Sequence, residues 1–165
     1  MSLIDPILAE LTHEAATTRR LLDRVPEQHL GWKPHEKSMT LGRLAGHIAE
    51  LPGWVASIVD KDEYDIGAGG YTPPTIDRVA DIMAMFDRNI TTATEALKRQ
   101  SDARLLANWR FKKSGKLIVE LPRLAMIRSF LMNHVVHHRG QLSVYLRLQN
   151  VPLPSIYGPT ADEPM

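Results

Sequence analysis

The sequence predicts an all-α fold, a four-helix bundle with long connections. Apolar residues recur at helical spacing in four segments, stretches rich in proline and glycine divide those segments, and strand-like alternation is confined to a brief run. Four amphipathic segments bury their apolar stripes most simply against one another, as a bundle. The connections between the first and second helices and between the third and fourth exceed minimal turns, so the topology need not be simple up-down. A single domain over residues 1–165 is expected, with 151–165 as an extended C-terminal tail.

The first helix is expected from about Pro6 to Asp23, with Asp5 as N-cap and Pro6 in the first turn. Leu8, Leu11, Ala15, Leu22 and Val25 form its inward stripe, and Pro26 closes it. Pro26, Gly31, Pro34 and Ser38 mark a loop in which Trp32 is an expected anchor against the body. Thr40 can cap the second helix, which carries Leu41, Leu44, Ala45, Ile48, Leu51, Val55 and Ile58 on one side. Pro52 lies within it and predicts a kink or break near Ile48–Pro52.

From Asp60 to Pro74 the rhythm disappears, and Gly67, Gly69, Gly70, Pro73 and Pro74 mark a long loop, the expected mobile piece. Thr75 is the expected cap of the third helix, with Asp77 in its first turn and an inward stripe from Val79 to Leu97. In 101–121, Asn108–Lys112 alternates briefly, Ser114-Gly115 reads as a turn and Leu117-Ile118-Val119 is apolar. A short hairpin and an irregular connection both fit; irregular chain with short extended pieces is the expectation. The fourth helix runs from about Pro122 to Gln149, a length on the order of 40 Å. Beyond it, residues 151–159 should cover one end of the bundle while Thr160–Met165 frays.

Composition narrows the function. An apolar share of 44% and a charged share of 24% are ordinary for a globular chain. A net charge of +1, from 20 basic and 19 acidic residues, argues against nucleic acid as partner. There is no cysteine, so a disulfide framework, a thiolate metal site and a cysteine nucleophile are all excluded. No secretion signal and no apolar run near the roughly 20 residues of a spanning helix is visible, so a cytoplasmic location without membrane attachment is expected.

Among seven histidines, His134 and His138 stand four apart on the longest helix and share one face, beside Ile127, Leu131, Leu142 and Tyr145. Imidazoles at a core are costly unless each ring nitrogen finds a partner, and a metal ion supplies one to several rings at once. His47, flanked by Leu44, Ile48 and Leu51, faces the same interior from the second helix. Three nitrogens leave positions for water or substrate, the pattern of a reactive site. The alternative is a set of satisfied core histidines. The zinc-protease pattern is absent, because His134-Val135-Val136-His137-His138 lacks its glutamate.

The runs Asn133–Leu142, Trp32–His35, Ser38–Ile48 and Val151–Gly158 resemble, in order, the DinB/YfiT-like metal-binding bundle family over nearly the entire chain. The resemblance implies one divalent ion, Ni2+ or Zn2+, held by His47, His134 and His138. It further implies a metal-dependent hydrolase, or a transferase using a low-molecular-weight thiol, that acts on a small molecule as a homodimer. A non-catalytic, stress-related binder of metal or small molecules is the alternative.

Around the ligands, Glu50 follows His47 by three residues and can orient the nucleophile, accept a proton or hold a histidine N–H, or simply pair with a surface base. Gln141, three after His138, can reach the same cleft or bond between helices. These two are the candidate catalytic residues. His137 is about 100° from His138 and suits an interface or surface position. Arg139 suits a structural ion pair, Gly140 close helix packing, and Trp54 and Tyr145 either the pocket wall or plain core. His13 and His29 carry no site, while His35 could approach a cleft mouth.

Overall fold

The computed structural model describes residues 2–69 and 71–164. Met1, Met165 and the loop residue Gly70 lie outside the described residues.

The expected helices form, but distant side chains cap two of them. α1 spans Ile4–Leu22, with Asp5 inside its first turn and not at the N-cap. Asp102 does the capping, accepting from Ser2 Oγ and the Leu3 N–H at 2.9 Å each. α2 (Leu41–Glu50) starts at Thr40, whose hydroxyl accepts the Arg43 N–H at 3.2 Å. Pro52 gives the expected break, a 3₁₀ turn over Leu51–Gly53 that leads into α3 (Trp54–Asp60). α4 covers Val79–Lys98, beginning beyond the expected Thr75, so Asp81 and not Asp77 occupies its first turn. Glu27 Oε2 receives the Val79 N–H at 3.0 Å and serves one of the orphan donors of that terminus.

The residues before α4 cross α2 as an extended strap. Ile76 lies so close to Gly46 that an added Cβ would come within 2.8 Å of it, which makes Gly46 the bearing for the strap. Short α5 (Asp102–Leu106) follows α4.

The expectation of a purely α fold is corrected by a three-stranded sheet. β1 (Glu63–Asp65) pairs parallel with β2 (Asn108–Lys113), which pairs antiparallel with β3 (Lys116–Pro122). The hairpin therefore replaces the irregular connection. Its turn, Ser114-Gly115, has φ of 51° and 80°, the double positive φ that a two-residue hairpin favours. The Asp65 carboxylate accepts the backbone N–H of Gly67, Ala68, Ser114 and Gly115, fastening the 61–69 loop to that turn.

The last helical run is α6 (Arg123–Met126), a π-helical stretch over Ile127–Asn133, and α7 (His134–Leu148). The π stretch is unexpected from sequence. Wide turns of this kind concentrate at functional sites, and this one ends directly before His134.

α2 packs on both α4 and α7, and α1 packs on the same two helices. One buried cluster gathers Val55, Ile58, Trp109, Met126 and Ile127; the other gathers Leu21, Leu44, Ile48, Phe86 and Leu142. Val151, Leu153 and Ile156 of the tail pack against the second cluster. Thr160–Glu163 is tied down, contrary to the fraying expected: Asp162 pairs with Arg147, and Glu163 pairs with Arg20 at 2.5 Å. Trp32 anchors its loop edge-on against Tyr145 at 5.7 Å. No helix among the described residues is long and apolar enough to cross a membrane.

Candidate metal centre

The i,i+4 spacing of His134 and His138 puts both rings on one side of α7, their centroids 4.7 Å apart. α2 packs against this face and delivers His47, whose ring lies 5.2 Å from that of His134 and 4.7 Å from that of His138. One ligand atom from each histidine lies within 4.8 Å of the others. Two metal–imidazole bonds of about 2.0–2.1 Å reach most of that separation, and a modest side-chain swing closes the rest. The trio is capable of coordinating one divalent ion.

Metal-ligating imidazoles hold their second nitrogen with an outer partner, and His138 has one. His138 Nδ1 lies 2.7 Å from Gln141 Oε1, which leaves its Nε2 for a ligand. His47 Nδ1 is buried, finds no hydrogen-bond partner among the described residues, and faces Glu50 Oε2 at 3.6 Å. Glu50, only 9% exposed, also accepts from Arg43 at 3.0 Å and from the Tyr71 hydroxyl at 2.5 Å. Burial pushes its carboxyl upward, yet His47, Tyr71 and Arg43 together hold it below the usual carboxylate range. Glu50 is thus held in place as an anion by Arg43 and Tyr71. The Tyr71 hydroxyl is pushed the other way, upward, by burial and by Glu50.

Burial lowers His138 from 6.5 to about 4, against the opposing bond to Gln141 and with His134 and His47 adding to the depression. Burial also lowers His134, with His47 contributing and the Phe130 backbone opposing. Both rings are neutral and ready to donate lone pairs at neutral pH. Since the unfolded ring binds a proton near pH 6.5 and the folded ring only near 4, acid favours the unfolded chain between those values. The metal-free protein should therefore lose stability as pH falls from about 6.5 towards 4. Denaturant midpoints at pH 7 and pH 5, with chelator present, check this; the drop should be smaller in His138→Gln.

A cavity of about 140 Å³ adjoins the trio, walled by His47, His134, Trp54, Tyr71, Phe111 and Phe130. Leu51 and Ile66 complete it. Trp54 thus belongs to the pocket wall. Tyr145 does not: it packs on Trp32 and donates to the Met39 carbonyl at 3.3 Å. Tyr71, Ile66 and Phe111 carried no site signal in the sequence, because the loop and the sheet bring them in from outside the bundle. His35 bonds within its own loop, accepting the Lys37 N–H, and is not brought to the trio. His137 is exposed, its ring 4.8 Å from that of His138 and outside the cluster.

Arg139 forms the expected structural ion pair, 2.7 Å from Glu14, with Thr18 accepting at 3.1 Å and Tyr157 beneath the guanidinium at 4.8 Å. Gly140 fails the expectation of close packing, since an added Cβ there would meet nothing within 4 Å.

Residues 1–164 match the model of a family described as the DinB family. Uncharacterized protein YrdA of Bacillus subtilis (strain 168) is 29% identical over 161 residues, spanning 97% of this chain and 91% of that protein. A DinB-like protein of Bacillus cereus ATCC 10987, solved by crystallography, superposes with a TM-score of 0.70 at 25% identity, covering 88% of this chain and 92% of the other. The DinB-like protein YjoA of Bacillus subtilis superposes at 0.71 with 16% identity, over 98% of this chain and 100% of that one.

Proposed function

The chain belongs to the DinB family, and we propose that it is a metal-dependent enzyme in which His47, His134 and His138 hold one divalent ion, Ni2+ or Zn2+, beside a small-molecule cavity. The reaction class is hydrolysis, or transfer using a low-molecular-weight thiol. The observation that carries this reading is the convergence of three imidazoles from two helices, two of which, His47 and His134, line an aromatic cavity.

When bound, a divalent ion polarises a substrate oxygen and lowers the pKa of a protic ligand such as water or a thiol. The chain supplies the rest. Gln141 fixes the orientation and tautomer of His138. Glu50 sets His47 from behind and is itself locked by Arg43 and Tyr71, so it acts as a positioning residue. Trp54, Phe111 and Phe130 give the cavity beside His47 and His134 an apolar wall. Gln141→Leu should weaken metal affinity by about 10–100-fold, as loss of an outer partner does; calorimetric titration with zinc measures it.

Turnover is the test. Metal-loaded protein is assayed on small esters and thiol adducts, and His134→Ala should lose any activity found. The fixed, ion-paired state of Glu50 favours a second reading, a non-catalytic binder, because its carboxylate is already committed to Arg43 and Tyr71. Saturable ligand binding without turnover selects that reading.

The proposal extends to a homodimer. Val136, Val144 and Leu148 are exposed on about a third of the circumference of α7, and Gly140 leaves room for close approach between them. Val144→Glu should shift the sedimentation coefficient at micromolar concentration to that of a monomer.

A further inference from the structure

We propose that the cavity beside the histidine trio selects a compact, uncharged, ring-sized apolar group, whose attached thiol or oxygen donor points at the imidazoles. This rests on the reading of the trio as a metal site and adds the substrate class.

Size is the first argument. The cavity holds about 140 Å³, close to the roughly 150 Å³ of apolar space that accommodates benzene in a protein interior. Shape is the second. Phe111 stands edge-on to Phe130 at 5.1 Å, and Trp54 tilts against Tyr71 at 6.0 Å, so ring faces and edges bound the space.

Charge is the third argument. None of the residues that line the cavity is Asp, Glu, Lys or Arg. The Tyr71 hydroxyl is committed to Glu50 and Arg43. A carboxylate or a zwitterionic head placed among Trp54, Ile66, Phe111 and Phe130, away from the imidazoles, would lose its hydration without a compensating partner. The imidazoles are the polar exit. Any thiol carrier decorated with sugars or amino acids must therefore keep that decoration outside and present only its apolar adduct to the cavity.

The test separates this inference from the metal reading. Metal-free protein in chelator is titrated with benzyl alcohol and with benzoate, following Trp54 emission, with Trp54→Phe as the signal control. Benzyl alcohol should saturate, and benzoate should bind at least ten-fold more weakly. Ile66→Phe, which fills the cavity from the loop side, should weaken benzyl alcohol at least ten-fold with zinc uptake unchanged. Zinc-loaded protein should then bind benzyl mercaptan at least ten-fold tighter than benzyl alcohol. Saturation by benzyl alcohol with no zinc uptake at all would remove the metal reading and leave the apolar selectivity in place. Failure of benzyl alcohol to bind, or equal binding of benzoate, overturns the inference.

Discussion

Replacing His134 by alanine should abolish stoichiometric uptake of zinc or nickel while the helical fold persists. The ring is half-buried at the end of the π stretch and faces the cavity, so its removal enlarges a site and does not empty a core. Loss of an outer partner already costs about 10–100-fold in affinity; loss of one of three direct ligands should exceed that, on the order of 1000-fold. His138→Ala should behave alike for metal but also leave Gln141 without its ring partner. Metal content after dialysis, compared with the circular dichroism of the same samples, checks both halves of the expectation. A further consequence is thermodynamic: zinc at 100 times its dissociation constant should stabilise the native protein by about 2.7 kcal/mol, and this increment should vanish in His134→Ala.

Replacing Arg123 by methionine should produce the largest loss of stability. Arg123 is 1% exposed and donates to the backbone carbonyls of Lys61, Ala107 and Asn108 and to Asp62. Burial lowers its pKa, with Arg104 adding and Asp62 opposing. Methionine keeps the apolar stem and the backbone N–H that already bonds the Ala107 carbonyl, and Arg104 still serves the Lys61 carbonyl. The Asn108 carbonyl loses its guanidinium donor, at about 1–3 kcal/mol while it stays buried. Asp62 is exposed and recovers water. A net loss on the order of 1–3 kcal/mol follows, which for a chain of this size lowers Tm by roughly 5 °C. Differential scanning calorimetry measures it. Because Arg123 joins the start of α6 to β2 and to the segment before β1, the same substitution should loosen the sheet that presents Phe111 to the cavity.

The helices were legible because each carries its own burial pattern, and the histidine trio because an i,i+4 pair and a lone inward imidazole are local signals. Thr40 as a cap and Pro52 as a break acted through their own backbone. What escaped depends on distant partners. Asp102 caps α1 and Glu27 caps α4, so the starts expected at Pro6 and Thr75 were displaced in opposite directions. β1 is a three-residue strand without alternation that exists only because β2 lies beside it. Phe111 and Tyr71 reach the cavity through that sheet and its loop; the brief alternation over Asn108–Lys112 hinted at a strand but not at a cavity wall. Gly140 shows the converse: a helical glycine suggested close packing, and the space beside it is open.

One ion should sit among His47, His134 and His138. Crystals of metal-loaded protein, measured on both sides of the zinc or nickel absorption edge, test it directly. The account predicts one anomalous peak, bonded to these three rings and to no other side chain. A peak elsewhere, or none in protein that retains all three histidines, would contradict it.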